Sequence, residues 1–190
     1  MVPHYLLLAS NVVFFVKEDK MKIFLIAGKA GSGKNETAKI ISDILGKTVI
    51  TSFSKYIKLF AVEMTAWDGS DQNKPRTFLQ EMGDTLRSID ENFLTKRFLE
   101  DMLVYEKYYE NVIVSDVRLI NEIEFVKKSP YKVITIRVNS TYSKRELNSH
   151  EQNHITELEL DNYPDFDYII ENEFNDNLKE KIKLILEEVK

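Results

Sequence analysis

Lys22-Ile23-Phe24-Leu25-Ile26-Ala27-Gly28-Lys29-Ala30-Gly31-Ser32-Gly33-Lys34-Asn35 is the stretch that decides the fold. An apolar, β-rich run, Lys22 to Ala27, enters a glycine-rich loop. The chain leaves the loop with Ala38, Ile41 and Ile44/Leu45 at helical spacing. The loop fits G-x-x-x-x-G-K-[S/T] at every position but the last. Gly28, Gly31 and Gly33 permit backbone conformations that a β-carbon would hinder, so successive N–H groups can turn inward around phosphate oxygens. The following helix points its positive end at the same anion. Lys34 adds a mobile charge for β- and γ-phosphates. Gly28, Ala30, Gly31, Ser32, Gly33, Lys34, Asn35 and Glu36 are therefore the expected triphosphate-binding residues. Asn35 stands where Ser or Thr would offer Mg²⁺ a hydroxyl. An amide oxygen can reach the metal or its waters, but it is neutral. The metal is expected to lean on substrate phosphates, with Thr37 a weaker candidate ligand.

Composition narrows the class. With 190 residues, 43% of them hydrophobic, one domain with a sizeable core is expected. A net charge of −5 argues against a general nucleic-acid surface, which is normally basic. The chain has no cysteine, so disulfides and thiolate metal sites are excluded and a cytoplasmic setting is expected. Tyr5 to Val16 is mostly apolar, but no Lys or Arg precedes it and Asn11 interrupts it, unlike a signal peptide. It is also too short to span a bilayer. Residues 1–20 read as an upstream extension, with Met21 as the expected natural start; an added strand or packed arm is the alternative.

Outward from the loop, Thr48 to Ser52 reads as a short strand and Ser54 to Met64 as a helix. A polar loop from Trp67 to Lys74 leads to Pro75, which suits the first turn of a helix over about Arg76 to Ser88. There Phe78, Leu79, Met82 and Leu86 make an apolar face. Arg76, Gln80, Asp84 and Arg87, spaced by four, four and three, share another. Gly83 lies in that polar stripe at a cost of roughly 1 kcal/mol. The cost is explained if something lies flat there; a solvated face with a tolerated glycine is the plainer alternative. Asn92 to Tyr109 reads as a helix and Val112 to Ser115 as a buried strand ending in Asp116, followed by Val117 and Arg118. Leu119 to Lys128 is helical, Lys132 to Val138 a strand, Ser140 to Asp161 a polar insert, Tyr168 to Ile170 a last strand and Asn177 to Lys190 an amphipathic helix. This order predicts an α/β, three-layer plan with a mostly parallel, five-stranded sheet and a ligand at the strands' carboxyl ends. The loop and Asp116 both lie at such ends. Arg118 could instead form a surface pair with Glu122, four residues on. His150 and His154 have metal-ligand spacing if helical, but two surface histidines are the simpler reading. Tyr105, Tyr108 and Tyr109 read as helix packing.

Four segments, GKAGSGKNETA, LQEMGDTLRSIDENF, VIVSDVRLINEIEFVKK and HITELEL with the late DYIIEN, resemble the bacteriophage-type deoxynucleoside monophosphate kinases. These belong with the adenylate kinase and dephospho-CoA kinase group. The resemblance implies a nucleoside monophosphate kinase-like P-loop NTPase fold and transfer of phosphate from ATP, with Mg²⁺, to a (deoxy)nucleoside monophosphate. It implies an acceptor site of Arg76, Gln80, Arg87, Asp116 and Arg118, with Lys34, Asp116, Arg118 and Arg145 carrying the reaction. Asp116 would reach the metal through water, or else accept a hydrogen bond from an arginine. Residues 21–190 would form the kinase domain, with a monophosphate-binding helical insert over about 53–109. A lid-like segment over about 140–161 would carry Arg145 and Lys144. His154, Thr156 and Glu157 match an H-x-[S/T]-E element without an assigned role. The expected partners are small nucleotides, with no nucleic acid and no membrane, and the chain would act as a monomer or homodimer. Asn35 and a lid with few arginines keep two alternatives open: a P-loop kinase with another acceptor, such as dephospho-CoA or phosphomevalonate, and a nucleotide-binding protein without catalysis.

Overall fold

The computed structural model describes residues 21–140, 158–175 and 177–189. The extension over 1–20 lies outside them, as do Lys144, Arg145, His150, His154, Thr156 and Glu157. Five strands, β1 (Lys22–Ala27), β2 (Thr48–Thr51), β3 (Asn111–Val117), β4 (Lys132–Asn139) and β5 (Tyr168–Glu171), form one sheet in the order β2-β3-β1-β4-β5. Every pairing is parallel. Parallel strands need crossover connections, and helices supply them. These are α1 (Lys34–Leu45), α2 (Lys55–Met64), α3 (Arg76–Ile89), α4 (Phe93–Tyr105), α5 (Ile120–Lys127) and α6 (Asn177–Glu188). A 3₁₀ turn, Glu159–Asn162, precedes β5.

β1 is buried on both faces, which is why its sequence is continuously apolar rather than alternating. Ile23, Leu25 and Ala27 pack with Phe53, Ile57, Phe98, Met102 and Ile123 on the α2–α5 side. Phe24 and Ile26 pack with Ala38, Ile41, Ile182 and Leu186 beneath α1 and α6. The three expected layers are therefore present. Leu79, Met82 and Leu86 of α3 join the first of these cores, whereas Phe78 stacks on Phe60, ring centres 6.4 Å apart.

The helix expected over Asn92 to Tyr109 ends at Tyr105. Its last turn tightens, with Lys107 N–H donating to the Val104 carbonyl (3.1 Å) and Tyr108 N–H to that of Tyr105 (3.0 Å). Tyr105 and Tyr109 keep an edge-to-face contact. Tyr108 is 72% exposed and does not pack as expected. Among the described residues, no helix is long and apolar enough to cross a membrane.

Candidate active site

The loop between β1 and α1 is built at close quarters. Gly28 and Gly33 have φ of 150° and 98°, which side chains disfavour. A β-carbon on Gly28 would collide with the Val138 carbonyl at the end of β4, and one on Gly33 with the Asn172 side-chain amide after β5. Lys34, 8% exposed, donates to the carbonyls of Gly28 (2.6 Å) and Lys29 (2.7 Å). Its ammonium is thus held at the mouth of its own loop. No side chain caps α1, so the helix's positive end acts toward that mouth. Ser32 Oγ and Thr37 Oγ1 are buried with no hydrogen-bond partner. Asn35 and Glu36 are exposed on the first turn of α1, and Ala30 is buried in the loop.

A second concavity opens beside the carboxyl end of β3. This cavity of about 120 Å³ is lined by Arg76, Gln80 and Arg87 of α3 and by Asp116 and Arg118. The five expected acceptor-site residues therefore meet at one cavity, though they span 43 positions, from 76 to 118, of the sequence. Phe53, Ile57, Leu79 and Leu94 supply its apolar wall. Gly83 is the one buried residue of α3. A β-carbon there would lie 2.9 Å from Arg87 Nη2 and 3.1 Å from Nη1. What lies flat on the glycine is thus the guanidinium of Arg87, which also pairs with Asp84 at 2.7 Å.

Asp116 is held by the turn from β2 into α2. Its Oδ1 accepts the Phe53 N–H at 2.8 Å. Its Oδ2 accepts the Ser54 N–H at 3.2 Å, the Ser54 hydroxyl, and the Lys58 ammonium at 3.3 Å. Burial alone would push the Asp116 carboxyl up. The Lys58 charge, the Ser54 hydroxyl and the two N–H groups outweigh it and hold the carboxyl below its usual range. Glu122, 5% exposed, caps the start of α5, accepting the N–H groups of Arg118 (2.8 Å) and Leu119 (3.1 Å). Arg118 thus meets Glu122 through its backbone, inside the protein rather than as a surface pair. Burial pushes the Glu122 carboxyl up to about 7, aided by the charge of Asp116 and opposed by those hydrogen bonds.

Lys58 and Lys74 also line the cavity, and the sequence did not single them out. Lys58 lies one turn after Ser54 on α2, the only local hint that both face Asp116. Burial, then repulsion from Lys58 and Arg76, lowers the Lys74 ammonium to about 8 against the opposing charges of Asp71 and Asp116. The two concavities adjoin through the sheet. Ala27 pairs with Val117, so the loop that starts at Gly28 and the segment that starts at Arg118 leave neighbouring strand ends. Among the described residues, no group of three or more His, Cys, Asp or Glu side chains could hold a metal ion.

A glycine loop between the central strand of a parallel sheet and its helix, beside a cationic cavity at the neighbouring strand's end, defines a P-loop kinase. The chain belongs to the deoxynucleotide monophosphate kinase family, whose model matches residues 44–182, downstream of the loop itself. Comparison with curated proteins found no match. Among solved structures, the chain is similar to an APS kinase mutant from Mycobacterium tuberculosis, with 11% identity over 88% of this chain and 96% of that one (TM-score 0.49). It is also similar to shikimate kinase from Aquifex aeolicus, with 17% identity over 89% and 96% (TM-score 0.48). A third is a deoxyadenosine kinase from M. mycoides, with 16% identity over 89% and 98% (TM-score 0.46). These likenesses are distant, and the substrates in those names belong to those proteins.

Proposed function

We propose that the protein transfers the γ-phosphoryl group of ATP to the phosphate of a deoxynucleoside monophosphate, releasing ADP and the nucleoside diphosphate. The supporting observation is the cavity: Lys58, Lys74, Arg76, Arg87 and Arg118 converge on it beside an apolar wall. Such a cavity suits a phosphate at one end and a base at the other. Family membership supports the same acceptor class.

Phosphoryl transfer needs alignment and charge neutralisation more than covalent chemistry. Gly28 to Glu36 bind the donor, with loop N–H groups and the Lys34 ammonium on its phosphates. Arg76, Gln80 and Arg87 hold the acceptor, with Lys58 and Lys74 adding charge. Arg118, leaving the strand end next to the loop, neutralises charge between the two phosphates. An acceptor phosphate oxygen attacks the γ-phosphorus and the bond to the β–γ bridging oxygen breaks; a phosphate dianion needs no general base. Residues 53–109 form the acceptor-binding insert.

The loop suits a triphosphate: Gly28 and Gly33 let it pack tightly against the ends of β4 and β5, and the uncapped start of α1 and the Lys34 ammonium stand at its mouth. Mg²⁺ bound to the phosphates would supply charge neutralisation for the leaving group. Asn35, exposed on the first turn of α1, would offer the metal an amide oxygen, with the Thr37 hydroxyl the second candidate. Asp116, already engaged by α2, contributes through water at most.

A coupled ADP-release assay with a panel of nucleoside and deoxynucleoside monophosphates tests this reading, with dephospho-CoA and phosphomevalonate as competing acceptors. Folded, ATP-binding protein that turned over no monophosphate would overturn it.

A further inference from the structure

Asn172 sits just past the end of β5, 2% exposed, and its hydrogen bonds reach the end of β4, the glycine loop and its own chain two residues on. Its backbone N–H donates to the Asn139 carbonyl at the end of β4 (2.8 Å). Its side-chain oxygen accepts the Phe174 N–H (2.9 Å). Its side-chain nitrogen donates to the Ser32 carbonyl (3.0 Å), a bond across 140 positions of sequence. Phe174 has φ of 56°, left-handed and uncommon for a non-glycine residue. The side-chain oxygen of Asn172 thus braces the chain where it is strained, and its nitrogen reaches the loop.

We propose that Asn172 is a positioning residue for the donor phosphates. The Ser32–Gly33 peptide is trans, as are all described peptide bonds. In a trans peptide the carbonyl and the next N–H point in opposite directions. Drawing the Ser32 carbonyl toward β5 therefore aims the Gly33 N–H the other way, toward the phosphates. On its C-terminal side the peptide meets Gly33, whose missing β-carbon leaves φ free, so the local backbone resists its rotation only weakly. Asn172 supplies the missing restraint from outside the loop. The absent β-carbon of Gly33 is what lets the amide approach so closely. The latch acts on phosphates, not on the base or on the acceptor. It rests on the donor-site reading above but not on the identity of the acceptor.

The test is ATP affinity by calorimetry in wild type, Asn172→Ala and Asn172→Asp, with KM values for ATP and for the best monophosphate. Asn172→Asp keeps the side chain's shape and its acceptor for Phe174 but loses the donor to Ser32, so it remains informative where alanine fails to fold. We expect ATP to bind about tenfold more weakly in either variant, the loss of a hydrogen bond and of the order it imposes. The KM for the monophosphate should change less than about twofold. ATP affinity within about twofold of wild type in a folded variant would overturn the proposal. So would an equal rise in both KM values, which marks a general loosening of the fold. Wild-type protein that binds ATP but transfers to no monophosphate would overturn the proposed function, and the affinity comparison would still decide the role of Asn172.

Discussion

Two side chains show how much of the site hangs on single atoms. Lys34 brings a buried charge to the mouth of the donor loop, so Lys34→Ala should lower kcat/KM by about a thousandfold with an unchanged melting curve. Steady-state kinetics beside calorimetry checks this; retained turnover would contradict the donor assignment. Gly83 offers a sharper test because its two effects oppose. Alanine at a helix interior is favoured by roughly 1 kcal/mol over glycine. The same methyl group would stand 2.9 Å from Arg87 Nη2 and push the guanidinium off its seat. Gly83→Ala should therefore leave stability equal or higher while raising the monophosphate KM several-fold. A less stable variant with normal kinetics would show that the glycine serves the fold and not the cavity.

At the scale of elements, the entry to α3 and the start of α5 carry the titrating groups. Lys74, ahead of α3, has its ammonium lowered to about 8 by burial and by its cationic neighbours. The unfolded chain then binds the proton more tightly, so this group's contribution to stability rises with pH from about 8 toward the ordinary lysine value. Acceptor binding should move the other way. The monophosphate KM is expected to climb between pH 7 and about 9 as the charge is lost, and Lys74→Arg should flatten that profile. Glu122, at the start of α5, is raised from 4.5 to about 7. Its favourable contribution is complete below the unfolded value and disappears as pH rises through the folded one. Over that window wild type should lose roughly 3 kcal/mol relative to Glu122→Gln, as measured by urea unfolding. A constant difference between the two proteins would mean that Glu122 stays ionised throughout.

These same elements show what the sequence made legible. The strands and helices could be read because burial stamps a local period on the chain. Arg76, Gln80 and Arg87 could be read because they share one face of one helix. Lys58, Lys74 and Asn172 could not. Their partners are Asp116, a cavity wall and Ser32, each brought close only by the sheet and its crossovers. Asn172 closes the DYIIEN segment that carried the resemblance, but nothing in that segment points to the glycine loop. Helix ends were less legible too. The α4 pattern ran on to Tyr109, but the backbone tightened after Tyr105, where Tyr108 had no core to face.

Taken whole, the molecule should register its ligands as stability. At a hundredfold excess over Kd a ligand adds about 2.7 kcal/mol. For a chain of this size that should raise Tm by roughly 5–10 °C. ATP analogue and monophosphate together should exceed either alone, as seen in a thermal-shift titration. Equal shifts with and without the second ligand would mean one shared site. The sheet order has a wider consequence. The donor loop springs from β1, the central strand, which has a neighbour on both sides. The turn that grips Asp116 and the helices of the cavity follow β2, an edge strand of four residues. Hydrogen exchange should therefore be slowest in β1 and much faster through α2 and α3. The protein is in effect a fixed anvil with an interchangeable tool. Substitutions could accumulate in the peripheral layer and redirect what is phosphorylated, while the machinery that supplies the phosphate stays untouched.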